Sequence, residues 1–271
     1  VFAPYFVEYG SYVSNYDGNL VVISPNTEDF QPNLEKLGEK ITPRTKAVII
    51  NTPNNPTGVV YSAGTLARMA DILRERQTQL GTDIVLISDE PYRELAYDGV
   101  EVPYVTGFYE NTVICYSYSK SLSLPGQRIG YVLVPRQVEE FEQVYAAVCG
   151  AGRALGYVCA PSLFQFVVAK CVGQTADVGI YRKNRDILLN ALREMGYTCA
   201  QPDGAFYLFP RSLEPDARAF CQRAQKYDLI LVSGDSFGCP GHVRISYCVP
   251  TEQILRALPK FKKLAEEYGV G

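Results

Sequence analysis

Val113-Ile114-Cys115-Tyr116-Ser117-Tyr118-Ser119-Lys120 carries an apolar stretch of strand length directly into two serines and a lysine, and Gly126, Arg128, Gly130 and Tyr131 follow closely. Outward from it the same rhythm repeats. Apolar runs at Leu20 to Ser24, Ala47 to Asn51, Ile84 to Asp89 and Ile129 to Val134 each end at a polar or turn-forming segment. Amphipathic stretches of helix length lie between and after them: Ser62 to Gln79, with Ser62 as the cap, then Val138 to Cys149, Ser162 to Cys171 and Val178 to Met195. This alternation predicts an α/β fold, a mainly parallel sheet sandwiched by helices. After the last of these helices the strands shorten, around Ala205 to Phe209, Leu229 to Val232 and Val243 to Tyr247, with helices at Pro215 to Lys226 and Thr251 to Tyr268. A smaller C-terminal α+β domain is expected over residues 176–271, after a larger one over residues 1–175, with Gly173-Gln174-Thr175 as the break.

Composition narrows the function. The 271 residues are 47% hydrophobic, enough for a substantial core, and a net charge of -3 without a basic run gives no electrostatic reason for nucleic acid or an anionic membrane as partner. No stretch reaches the roughly 20 apolar residues of a membrane span. Eight cysteines without a C-x-x-C pair, most in apolar stretches, and one histidine predict buried thiols, a reducing cytoplasm and no metal centre. His242 is expected as a surface residue at a strand edge. Val1 is not an initiator Met, and Pro4-Tyr5-Phe6 arrive without a lead-in element, so the chain reads as the interior of something longer.

Three segments carry chemistry. In the first, Lys120 can condense with an aldehyde, Ser117 and Ser119 can donate to phosphate oxygens, and Arg128 offers a charged fork. Alone, those residues are equally a solvated lysine in a polar loop. In the second, Asp89-Glu90-Pro91-Tyr92 follows an apolar strand. There a carboxylate can hold a ring nitrogen protonated and a tyrosine three residues on can donate a hydroxyl, although an aspartate in this place also caps helices. In the third, Asn51-Thr52-Pro53-Asn54-Asn55-Pro56-Thr57-Gly58 forces a defined turn that can present the Asn55 amide, or serves only as a tight connection.

In this order, each after a strand, these segments resemble the class I and II aminotransferases, the pyridoxal 5'-phosphate (PLP) enzymes of fold type I. The patterns are N-P-T-G, D-E-x-Y, S-x-S-K with a trailing G-x-R-x-G-Y, and V-R-I-S at Val243-Arg244-Ile245-Ser246. The resemblance implies an enzyme moving an amino group between an amino acid, with an aspartate-type donor favoured, and a 2-oxo acid. It implies Lys120 on the cofactor aldehyde and as base, Asp89 on the ring nitrogen, and Asn55 and Tyr92 on the ring oxygen. Ser117, Ser119 and Arg128 fall to the phosphate, Phe6 to ring stacking, and Arg244 with Asn55 to the substrate's α-carboxylate. Phe6 is otherwise a core residue at a strand start. Pro202-Asp203-Gly204-Ala205-Phe206-Tyr207 resembles the segment that opens the small domain's sheet. A homodimer is implied, and so is a longer N-terminal region, since a typical member has roughly 400 residues. Carbon-sulfur lyases share the motifs, and an aminotransferase-like effector domain of a transcription regulator is a reading from another class.

Overall fold

The computed structural model describes residues 1–270. Four strands, β1 (Ala47–Asn51), β2 (Val85–Asp89), β3 (Thr112–Ser117) and β4 (Gly130–Leu133), form one sheet in that order. The first three are parallel and in register, so Asn51 stands beside Asp89 and Asp89 beside Cys115. Their C-terminal ends therefore form one continuous rim. β4 runs antiparallel to β3. The connection over residues 118–129 holds a four-residue helix and one 3-10 turn (Pro125–Gln127), too little to carry the chain back to the start of the sheet as a parallel crossover requires. Gly130 is required at this return: a Cβ there would lie 2.3 Å from the Tyr116 carbonyl oxygen.

Helices α1 (Glu8–Ser14) and α2 (Leu34–Lys40) precede the sheet. Helix α3 (Ala63–Leu80) crosses from β1 to β2, and the Ser62 hydroxyl accepts from the Thr65 amide at 3.0 Å. That cap contributes about 1 kcal/mol. Leu66, Met69, Ala70 and Leu73 form the buried stripe of α3, at the spacing that predicted it. The helix α4 (Tyr118–Ser121) follows β3 at once, and α5 (Phe141–Ala154), α6 (Ser162–Lys170) and α7 (Val178–Glu194) come after β4.

Beyond α7 lie β5 (Tyr207–Leu208), α8 (Ala217–Gln225), β6 (Val232–Ser233), β7 (Val243–Ser246) and α9 (Thr251–Glu267). These strands make an antiparallel sheet in the order β5-β7-β6. One apolar cluster lies around α2, α3 and the first sheet, and a second gathers α7, α8, α9 and the second sheet. Tyr92, Leu95 and Tyr97 belong to the second cluster although they directly follow β2. Backbone contacts fix them there: Ala96 bridges Gly204, and the Tyr97 amide donates to the Asp203 carbonyl at 2.8 Å.

Several expectations need correction. Leu20 to Ser24 is no strand; only Ile23 bridges, to Phe2, while Val21 and Val22 stay exposed, because the neighbouring backbone at Val1–Ala3 offers a single short pairing. Phe6 stands just ahead of α1 rather than at a strand start. The helices α1, α2 and α4 are too short for periodicity to announce them.

Candidate active site

The rim made by β1, β2 and β3 positions three of the sequence motifs. Asn51, the last residue of β1, donates through Nδ2 to the Asp89 carbonyl at 2.8 Å and accepts from the Asn55 amide at 2.7 Å. It thereby ties the turn that carries Asn55 to the strand that carries Asp89. Lys120 lies on α4, at the end of β3. Its amine is 6.0 Å from the centre of the Tyr92 ring and 5.5 Å from that of Phe206.

Asp89 is partly buried, and its carboxylate accepts from the Tyr9 hydroxyl at 2.6 Å. Burial raises its pKa to about 6, the Glu90 charge adds to this, and the Tyr9 hydrogen bond opposes it. Phe6 packs edge-on against Tyr9, with ring centres 5.6 Å apart. Tyr9 was not anticipated. It is eighty residues from Asp89 in sequence, and nothing in the local pattern reveals the contact.

The second sheet supplies the opposite wall. Arg244, on β7, donates through Nη1 to Asn55 Oδ1 at 2.9 Å, and its guanidinium lies over the rings of Tyr207 at 4.7 Å and Phe237 at 4.9 Å. The Tyr92 and Tyr207 hydroxyls are hydrogen-bonded at 3.1 Å. Burial, then Tyr207, raises the Tyr92 pKa well above its ordinary value, so this phenol stays a donor at neutral pH. The Lys120 pKa is lowered by burial and by the charges of Arg128 and Arg244, against a raising influence from Cys248. A larger share of its amine is therefore neutral, the form that takes up a proton or attacks a carbonyl.

The remaining expected residues are placed less tightly. Ser117 and Ser119 share a hydrogen bond of 2.6 Å, and the Ser119 amide donates to Ser117 Oγ. Arg128 is exposed, in a left-handed conformation at φ 52°, and donates to the Pro125 carbonyl at 2.7 Å. Phe206 and Tyr207 are close neighbours of Lys120 and Arg244 that the sequence flagged only as a segment, without a role.

Two other sequence expectations change. His242 is no open edge residue: it is half-buried, stacked on Phe209 at 5.3 Å and edge-on to Phe30, and burial lowers its pKa. Of the eight cysteines only Cys199, Cys221 and Cys239 are buried, while Cys149, Cys159 and Cys248 are exposed. Among the described residues no group of His, Cys, Asp and Glu could hold a metal ion, and no helix is long and apolar enough to cross a membrane.

The sequence model of the family described as aminotransferase class I and II matches residues 1–261. The chain belongs to this family. It is 31% identical over 277 residues to aromatic-amino-acid aminotransferase 2 of Thermococcus litoralis, covering 98% of this chain and 69% of that protein. It is 31% identical to the aspartate/prephenate aminotransferase of Thermus thermophilus, covering 97% and 68%. Among solved structures, an amino transferase from Eubacterium rectale superposes with a TM-score of 0.96 at 53% identity, covering 98% of this chain and 67% of that one.

The protein is thus a PLP-dependent aminotransferase of fold type I, acting on small molecules, and the lyase and regulator readings are not favoured. When bound, PLP supplies an aldehyde that condenses with amines and a pyridine ring that accepts the electron pair released when a Cα–H bond breaks. The residues present fit this group. Asp89 is a carboxylate with a raised pKa and a single hydroxyl donor, a state that a protonated ring nitrogen would relieve. Lys120 offers an amine with a lowered pKa between aromatic rings. Ser117 and Ser119 bring two hydroxyls together at the end of the same strand.

Proposed function

We propose that PLP occupies the space between the rim of the first sheet and Arg244, carried on Lys120. In this reading Asp89 holds the ring nitrogen protonated, Tyr92 and Asn55 donate to the ring oxygen, and Phe6 lies against the ring. Ser117, Ser119 and Arg128 take the phosphate, which requires the Arg128 guanidinium to leave the Pro125 carbonyl. Arg244, held by Asn55 and resting over the Tyr207 and Phe237 rings, grips the substrate α-carboxylate with its fork. Lys120 Nζ then takes the proton from the substrate Cα, a task suited to an amine whose pKa is lowered by burial.

The observation that carries this reading is the convergence of Lys120, Asp89 and the Arg244–Asn55 pair from α4, β2, β7 and the turn after β1. We also infer an aspartate-type amino donor, a homodimer, a cytoplasmic location without nucleic-acid partners, and a division into residues 1–175 and 176–271. The Thermus relative's name supports the donor, and family membership supports the dimer.

The test adds PLP, reduces with borohydride and maps the modified peptide by mass spectrometry. Selective labelling of Lys120 is expected, and a label on another lysine would reject the assignment. Donor choice is then read from 2-oxo acid formed with L-aspartate, L-alanine and L-phenylalanine. Aspartate is expected to be fastest; a faster reaction with phenylalanine would replace the donor class and leave the Lys120 assignment intact.

A further inference from the structure

The helix that carries Lys120 is four residues long, and a single helical turn is unstable by itself because nucleation fixes many dihedrals for one hydrogen bond. Its geometry must come from outside. At its start the Tyr118 amide donates to the Ile129 carbonyl at 3.1 Å, and Ser117 Oγ caps the Ser119 amide. At its end stands Ser121, 2% exposed, which is bound twice. Its hydroxyl accepts from the Tyr116 hydroxyl at 2.8 Å, and its carbonyl accepts from the Ala176 amide at 2.6 Å. Tyr116 is itself fixed. It is 9% exposed, stacked on Tyr131 at 5.0 Å with an interplanar angle of 22°, and edge-on to Tyr118 at 5.1 Å.

We propose that Tyr116 and Ser121 are positioning residues for Lys120: the hydrogen bond between their hydroxyls clamps the far end of α4 to the strand before it and sets where the Lys120 amine stands. β3 thus grips the turn from both sides, through Ser117 at one end and Tyr116 at the other. Without the clamp the turn loosens, and the amine leaves the wall made by Tyr92 and Phe206 for water. Neither residue is expected to touch cofactor or substrate. The proposal rests on Lys120 as the cofactor lysine.

The test uses the cofactor-free protein and a small acylating reagent. The rate of modification at Lys120 is followed by peptide mapping across pH, and its midpoint gives the apparent pKa of the amine, with exposed Lys46 as reference in the same digests. Tyr116→Phe and Ser121→Ala should each raise the Lys120 midpoint by about half a pH unit or more, because a solvated lysine keeps its proton longer. The double variant should go no further than Tyr116→Phe alone, since both substitutions delete the same bond and the tyrosine one also removes the hydroxyl's contact with Glu94. Thr112→Val provides the control for lost stability. It deletes a buried hydroxyl hydrogen bond to the Tyr109 carbonyl at the other end of β3 and should leave the midpoint in place. Unmoved midpoints in both single variants, an additive double variant, or an equal movement in Thr112→Val would each overturn the positioning role. Borohydride mapping of the unaltered protein tests the cofactor lysine alone, so a Lys120 label with unmoved midpoints removes only the clamp. A label elsewhere removes both.

Discussion

The two ends of the site are built differently. At one end Asp89 sits on a strand flanked on both sides, in register with Asn51 and Cys115, and its carboxylate already holds the Tyr9 hydroxyl. At the other end Ser117 closes β3 with a strand partner on one side only, Gly130 of the edge strand β4, all four of whose residues are exposed, and Ser119 and Arg128 belong to the turn between these strands; the two serine hydroxyls bond each other and Arg128 Nη1 donates to nearby backbone. An inner strand fixes a side chain through two neighbours at once; an edge turn does not. The carboxylate end is therefore expected to be the stiff part of the site, and the hydroxyl end the adaptable part.

Lys120, between the two ends, should show the largest effect. Lys120→Ala is expected to abolish the borohydride-fixed label and slow amino transfer roughly a thousandfold or more. Transfer at the parent rate would end the comparison, since neither end would then be near the chemistry.

Asp89→Asn tests the stiff end and should move activity and stability in opposite directions. Burial raises the Asp89 pKa from 3.8 to about 6. Between these values the folded chain holds a proton that the unfolded chain has released. The stability from this group is complete below the unfolded pKa and is lost as pH rises through about 6. In cofactor-free protein at about pH 7.5, Asn should add stability on the order of 3 kcal/mol, and most of the gain should be gone near about pH 4. Thermal unfolding at the two pH values measures this. Transfer should meanwhile fall, because Asn cannot hold the ring nitrogen protonated.

Tyr9→Phe removes the one hydroxyl that steadies this carboxylate. The Asp89 pKa should rise further, and PLP binding should weaken about tenfold, as for a hydrogen bond to a charged group. Equilibrium titration of PLP absorbance reads it out. Arg128→Gln, at the adaptable end, should cost least, about threefold in PLP affinity, and the loss should shrink with added salt because the guanidinium is exposed. A larger effect for Arg128 than for Tyr9 would reverse the ranking of the two ends.

Much of this was legible in the chain. The three strands of the rim were placed within a residue because an apolar run of strand length bounded by turn residues has few other uses in an α/β protein. Helix α3 was equally clear, since its cap and its buried stripe are both local signals. Leu20 to Ser24 misled because its apolar character says nothing about whether a partner strand is there to pair with it. His242 misled for a related reason: the two rings that cover it, Phe30 and Phe209, are distant in sequence.

By itself the sequence determined the α/β class, the family, and which residue types could meet a phosphate-bearing aldehyde, because those motifs are short and each follows its own strand. Only the tertiary structure decided that Tyr9 reaches Asp89, that Arg244 meets Asn55, that Phe206 stands beside Lys120 and that Arg128 turns outward. The first three contacts join residues whose separation along the chain carries no periodic signal. They arise when two sheets bury their apolar faces and bring the ends of distant strands to one rim.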